Sequence, residues 1–284
     1  MTRRTNTRSV FVASLAGVAA CLLQLSVIRE YAVNVPFWDE WDDLVGFVSK
    51  VQLGTARWAD WVAPHMEHRI VVPRVGFWLV DAVFGNANLL GAMTVSAVLA
   101  GVIAAVWAYA LRRLQAPIWL IGATIPIVGT IGQYENILWG FQIQFYSLVA
   151  GMLAAIVAVS VSRRVTWVVI ATAAIGCMVS TYSMASGALS WIVVSMVLVL
   201  RQLVEWRSGA ADRLVTGPMA RRLAVFIAAG GLGSWLYFVG YTPAPGPAGD
   251  TFAAWTVSRY AIVWIWDIGL LCTGSRGLIR ALRS

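Results

Sequence analysis

Val10–Ile28, VFVASLAGVAACLLQLSVI, carries no charge along its length, and Arg3, Arg4, Arg8 and Arg29 bracket it. It approaches the roughly 20 apolar residues that a bilayer crossing requires. It is longer than the apolar centre of a secretion signal and no small-residue cleavage site follows it. We therefore read it as a retained membrane helix with its amino end in the cytoplasm. The rest of the chain agrees: 60% of its residues are hydrophobic, 12% are charged, and mean hydropathy is +0.75. A soluble domain of 284 residues does not have this composition.

Working outward, further apolar runs fall at Leu89–Leu111, Pro117–Ile131, Ile143–Val161, Val165–Thr181, Leu189–Leu203, Leu223–Val239 and Trp255–Cys272. Ile70–Phe84, interrupted by Pro73, Arg74 and Asp81, is too short to span and is expected to lie in the outer interface. With that segment uncrossed, Arg112–Arg113, Arg163–Arg164, the Arg201-to-Arg222 stretch, Arg276, Arg280 and Arg283 share the cytoplasmic side. Asp39, Glu40, Asp42, Asp43, Asp60, Glu67, Glu135 and Asp250 fall outside. The bias of arginine toward the cytoplasm thus favours about eight spans with both termini inside.

The expected fold class is all-α: one polytopic transmembrane domain over residues 1–284. Residues 29–88 form its first external loop, with juxtamembrane helices, and residues 89–284 form the remaining bundle. The formal charge of +8 is read as a topology signal, not as a nucleic-acid surface. Cys21, Cys177 and Cys272 lie inside apolar runs and are expected to be packing residues, not a disulfide framework.

Within the external loop, Phe37-Trp38-Asp39-Glu40-Trp41-Asp42-Asp43 packs four carboxylates into residues 39–43, although the whole chain holds only thirteen Asp and Glu. One acid suffices to cap a helix, and Asp39 stands where an N-cap would. Four adjacent carboxylates repel and raise one another's pKa, which suits a general base or a shared cation. Asp39 and Glu40 are the candidate catalytic pair, and Asp39, Glu40, Asp42 and His65 the candidate ligands should a divalent cation take part. Trp41, Leu44, Val45 and Val48 recur with helical spacing and predict an amphipathic helix lying on the membrane. Trp58 and Trp61 repeat the spacing in a shorter piece.

His65-Met66-Glu67-His68-Arg69 holds both histidines of the protein. A wet polar loop is one reading; a site for a sugar phosphate is the other, with Glu67, His68, Arg69 and Arg74 as contacts. Arginine presents a fork that fits phosphate oxygens. The spacing does not match a zinc helix. Gln133-Tyr134-Glu135-Asn136 closes the external end of a span, and Gln133, Glu135 and Asn136 are candidate substrate contacts. Thr181–Gly187 reads as an ordinary external turn. No phosphate-binding glycine loop and no nucleophile elbow occurs.

The order of these parts resembles the GT-C glycosyltransferases, which include protein O-mannosyltransferases and aminoarabinose transferases. The resemblance covers roughly residues 10–115. It rests on the first span, the Asp39-Glu40 pair opening the external loop, and the stretch His68-Arg69-Ile70-Val71-Val72-Pro73-Arg74-Val75-Gly76-Phe77-Trp78-Leu79 ending in Phe84-Gly85-Asn86. This chain is shorter than most of that family, as a piece or a short member would be.

The resemblance implies inverting transfer of a sugar from a polyprenyl-phosphate carrier to a glycan, lipid or protein acceptor outside the plasma membrane. Asp39 would be the base and Glu40 its neighbour or a cation ligand. Arg69 or Arg74 would be the phosphate contact. The alternatives from other classes are a transporter or flippase for a lipid-linked sugar, using Asp81, Arg259 and Asp267 as buried polar sites, and a non-catalytic membrane protein.

Overall fold

In the computed structural model the described residues are 2–66, 68–209 and 217–241, with side chains from Thr7 onward. Glu67, Asp250, Arg259, Asp267, Cys272 and the expected last span, Trp255–Cys272, lie outside them. The described chain is all-α apart from one two-stranded hairpin.

Helix α1 (Thr2–Tyr31) leads into a 3-10 turn at Trp38–Glu40 and a π-helical segment at Trp41–Phe47. These continue into α2 (Val48–Gln52), and a short α3 (Trp58–Val62) follows. Strands β1 (Pro64–His65) and β2 (His68–Arg69) pair antiparallel, with His65 opposite His68. Helix α4 spans Val71–Phe84 and α5 spans Leu89–Arg113. Next come α6 (Ile118–Gly129), α7 (Tyr134–Ile137), α8 (Ile143–Val161), α9 (Trp167–Thr181), α10 (Leu189–Arg207) and α11 (Gly217–Phe238).

Every apolar run expected up to Val239 is therefore a helix. Among the described residues, however, only four segments are long and apolar enough to cross a bilayer: Thr7–Tyr31, Leu89–Arg113, Gly140–Val161 and Ala185–Arg207. Helix α6, at 12 residues with Pro126 inside it, and α9, at 15, fall short of a full crossing. Helix α11 has 22 residues, but Arg221 and Arg222 near its start dilute its apolarity. Helix α4, at 14 residues, measures about 21 Å along its axis.

Two close crossings hold the long helices together. A Cβ built on Gly17 of α1 would sit 2.6 Å from the Gly101 carbonyl oxygen of α5. One built on Gly151 of α8 would sit 2.5 Å from that of Gly176 in α9. Small residues let helix backbones approach where no hydrophobic force drives association. Gln24, buried in mid-α1, donates from Nε2 to the Val128 carbonyl at 2.9 Å and to the Tyr146 hydroxyl at 3.1 Å, tying α1 to α6 and α8.

The bundle has two chemically distinct ends. Helices α1, α5 and α8 each send one terminus to a core of Leu44, Phe47, Ile70, Phe77, Leu89, Ile137 and Phe141 beneath the acidic stretch. Their other termini carry Arg8, Arg112 and Arg113, with Arg163 and Arg164 just beyond α8. Helix α4 stays at the acidic end. The Val72 amide donates to the Tyr182 carbonyl at 3.0 Å, and Phe84 packs against Gly91 at the start of α5. Asn34 and Asn88 cap that start, their Oδ1 atoms accepting from the Leu89 and Gly91 amides at 2.9 Å each.

Candidate active site

The acidic stretch is helical from Trp38, and its inward face is not the one expected. Leu44, Phe47 and Val48 are buried together with Asp43, whereas Trp41, expected on the apolar side, is 58% exposed. Asp39, in the 3-10 turn, and Asp43, in the π-helical turns at Trp41–Phe47, both approach His65. Such turns are rare and recur at functional sites.

Asp43 is the hub. Arg74 donates to its Oδ1 from Nε at 2.8 Å and from Nη2, and His65 Nδ1 pairs with its Oδ2. Arg74, 4% exposed, also donates from Nη1 to the Ala63 carbonyl and lies over the Phe47 ring. The other ring nitrogen of His65, Nε2, stands 3.5 Å from Asp39 Oδ2 and makes no hydrogen bond of good geometry, though it is buried. The resulting chain runs Asp39, His65, Asp43, Arg74. Asp39, at 24% side-chain exposure, is its open end.

Electrostatics follow from this order. Burial by itself would raise the Asp43 carboxyl, but His65 and Arg74 outweigh it and hold Asp43 below the usual carboxylate range. Burial by itself would lower His65, but the hydrogen bond and charge of Asp43, with the charge of Asp39, push the imidazolium up. Two carboxylates on either side of His65 favour its charged form.

Glu40 turns the other way. It is 1% exposed, its Oε2 accepts from the Phe37 amide at 2.8 Å, and its Oε1 faces Gly140, where α8 is entered. The capping role expected of Asp39 therefore falls to Glu40. Burial, the largest influence, raises the Glu40 carboxyl above its ordinary range. The amides of Phe37, Gly140 and Phe141 pull the other way. Glu40 is thus a buried brace between the acidic helix and α8. Asp42 is exposed.

The hairpin is ordered, not a wet loop. It sets His68 across from buried His65 and places Arg69 one residue further on. The Arg69 amide donates to the Tyr237 hydroxyl at 2.7 Å, and its Nη2 donates to the Val239 carbonyl, while Nε is buried without a hydrogen bond. Arg74, by contrast, spends its donors on Asp43 and the Ala63 and Trp61 carbonyls, so it is a latch and not an open phosphate contact.

Gln133, Glu135 and Asn136 lie at the same end, because Ile137 enters the core shared by Leu44 and Phe141. They do not join the Asp39–His65 pair. Gln133 Nε2 donates to the Ile127 carbonyl, and the exposed Glu135 accepts from the neighbouring Tyr134 hydroxyl at 3.2 Å. Asp81 is no buried group in a transport path: it accepts from Gln52 Nε2 at 2.8 Å and from the Ala87 amide at 3.0 Å, closing the α4–α5 turn. Thr181–Gly187 folds as a turn into a 3-10 segment, with the Thr181 hydroxyl accepting from Trp191 Nε1.

An aromatic group borders Asp39. Phe37 and Trp38 stack at 5.3 Å, and Trp139 meets both edge-on. Trp38 is 72% exposed and has φ +47°, and Met66, next to His65, has φ +46°. Left-handed backbone at bulky residues is costly and clusters at functional sites. Among the described residues no three His, Cys, Asp or Glu side chains gather as a metal site; Asp39 meets His65, but Glu40 turns toward Gly140 and Asp42 is exposed. No family model, no curated protein and no solved structure matches this chain.

Proposed function

We propose that this protein is a membrane glycosyltransferase that moves a sugar from a polyprenyl-phosphate donor to an acceptor hydroxyl at the non-cytoplasmic surface, with inversion. The observation that carries the reading is the Asp39–His65–Asp43–Arg74 chain, whose open end is a carboxylate beside an exposed aromatic platform. Asp39 takes the proton of the acceptor hydroxyl. The acceptor oxygen forms its bond to the anomeric carbon as the bond from that carbon to the carrier's phosphate breaks. The departing phosphate anion is received by Arg69 and His68 on the hairpin. His65 is a positioning residue, held by Asp43 and Arg74, and it aims Asp39. Fixed charge placed where the phosphate departs supplies much of such an acceleration.

The topology belongs to the same proposal: about eight spans, both termini in the cytoplasm, the acidic end outside, in the plasma membrane. The separation of arginine and carboxylate between the two ends of the bundle supports it.

Asp39→Asn in vesicle-reconstituted protein tests the reading. Transfer from a polyprenyl-phosphate sugar falls by at least about 100-fold, the usual weight of a positioned general base, while the unfolding midpoint holds. Transfer at the wild-type rate ends the assignment of Asp39.

A further inference from the structure

The end of the bundle opposite Asp39 carries a second site. A cavity of about 1160 Å³ opens there among α1, α5, α8 and α9, and five arginines line it: Arg8, Arg112, Arg113, Arg163 and Arg164. Among the described residues no Asp or Glu lines it. The acid described near this end, Glu205, is already paired with Arg201 at 3.0 Å, and Arg201 Nη2 donates to the Arg163 carbonyl at 2.8 Å. That bond fixes the loop presenting Arg163 and Arg164. Arg113 is held by the Tyr109 hydroxyl at 3.0 Å and lies over its ring. Arg112 Nε is buried with no hydrogen bond. Five guanidiniums around one hollow repel one another unless an anion enters, and a guanidinium fork fits phosphate oxygens.

A topology signal requires arginine at this end, but it does not require a walled cavity. A second feature identifies the kind of anion. A smaller cleft of about 360 Å³ adjoins the same Arg8 and Arg112 and runs along α1 past Phe11 and Val12. Phe11 is exposed on the face that a bilayer would cover. Charged hollow and apolar cleft therefore share two arginines, as the head and chain of an amphiphile would need.

We infer that this cavity binds the phosphate headgroup of an anionic membrane lipid, with an acyl chain lying along Phe11 and Val12. The inference is independent of the chemistry at Asp39 and needs only that the long helices cross a bilayer. A free phosphate shares the headgroup chemistry, so the test separates the two sources.

Full-length protein is reconstituted in phosphatidylcholine containing a graded fraction of phosphatidylglycerol, and lipid retained on extraction is measured by native mass spectrometry. Wild type retains phosphatidylglycerol in preference to phosphatidylcholine, and R112Q/R164Q retains it about tenfold less, since each arginine near an anionic surface contributes appreciably. R221Q/R222Q, whose arginines lie over Trp167 outside the cavity lining, behaves as wild type. If the double variant fails to fold, raised ionic strength on wild type must still weaken retention, because screening reduces charge attraction. Equal retention of the two lipids by wild type, or retention indifferent to salt, overturns the inference. So does inorganic phosphate that binds through Arg112 and Arg164 while phosphatidylglycerol does not, which would make the site one for soluble phosphate.

Discussion

Asp43 and Arg74, thirty-one positions apart, form a buried ion pair in which Arg74 Nε donates to Asp43 Oδ1 at 2.8 Å. The pair joins the acidic helix to α4, and through His65 it sets the direction of Asp39. Removing one member strands a charge away from water, which costs about 3–5 kcal/mol. Asp43→Asn and Arg74→Met are each expected to lower the unfolding midpoint in detergent sharply. The double variant, which leaves no lone charge, recovers part of the loss. Additive losses would mean that the two side chains do not depend on each other.

Titration of the same chain gives stability a shape in pH. Asp43 is held below its ordinary 3.8, so its contribution is present above that value and is lost as pH falls through the lowered one. His65 is raised above 6.5, so its contribution is complete below 6.5 and is lost as pH rises through the raised one. Glu40 is raised above 4.5 by burial, so stability is also lost as pH climbs from 4.5 through its raised value. Thermal unfolding across pH should show two alkaline-going losses. Glu40→Gln removes the one beginning near 4.5, and His65→Gln the one beginning near 6.5. A profile unaltered by His65→Gln would remove the charged imidazole from the account.

Much of this architecture could be read from residue order, and the reason is physical. Uninterrupted apolar length leaves a chain few choices, and α8 runs over the same Ile143–Val161 that the pattern marks. Asp39 and His65, both singled out from the sequence as candidates, do meet. Asp43 was undervalued because its value comes from Arg74, a partner far along the chain that periodicity cannot reveal. The inward face was misread for a related reason. The expected stripe started from Trp41 and ran through Leu44, Val45 and Val48, whereas the buried stripe is Glu40, Asp43, Leu44, Phe47 and Val48, which has the same helical spacing but includes two carboxylates that an apolar pattern passes over. Glu135 illustrates the converse: it lies at the right end, but its carboxylate is spent on its neighbour Tyr134.

The helix crossings predict which glycines matter. Gly151→Ala puts a methyl group 2.5 Å from a backbone oxygen that cannot yield as a side chain would. Overpacking of this kind costs about 1–3 kcal/mol. Gly122→Ala in α6 meets nothing within 4 Å and is expected to be neutral or stabilising, since alanine suits a helix interior better than glycine. The unfolding midpoint should therefore fall for Gly151→Ala and hold or rise for Gly122→Ala, and a tolerated Gly151→Ala would mean that α8 and α9 do not cross there.

The last prediction concerns sidedness, on which the proposed chemistry at Asp39 depends. Leu53, just past α2, and Leu114, just past α5, are exposed at the acidic and basic ends respectively. With Cys21, Cys177 and Cys272 replaced by alanine, a single cysteine is placed at one position or the other. A membrane-impermeant thiol reagent applied to intact cells is expected to modify Leu53→Cys and to reach Leu114→Cys only after the membrane is opened. Helix α5, at 25 residues and about 37 Å, is long enough to separate them by a full bilayer. Modification of both from outside would place the arginines at the wrong surface, because a cluster at the basic end is retained in the cytoplasm by the same bias that orients the first helix. Modification of Leu114→Cys alone would invert the protein and leave Asp39 facing the cytoplasm, where the proposed acceptor chemistry does not occur.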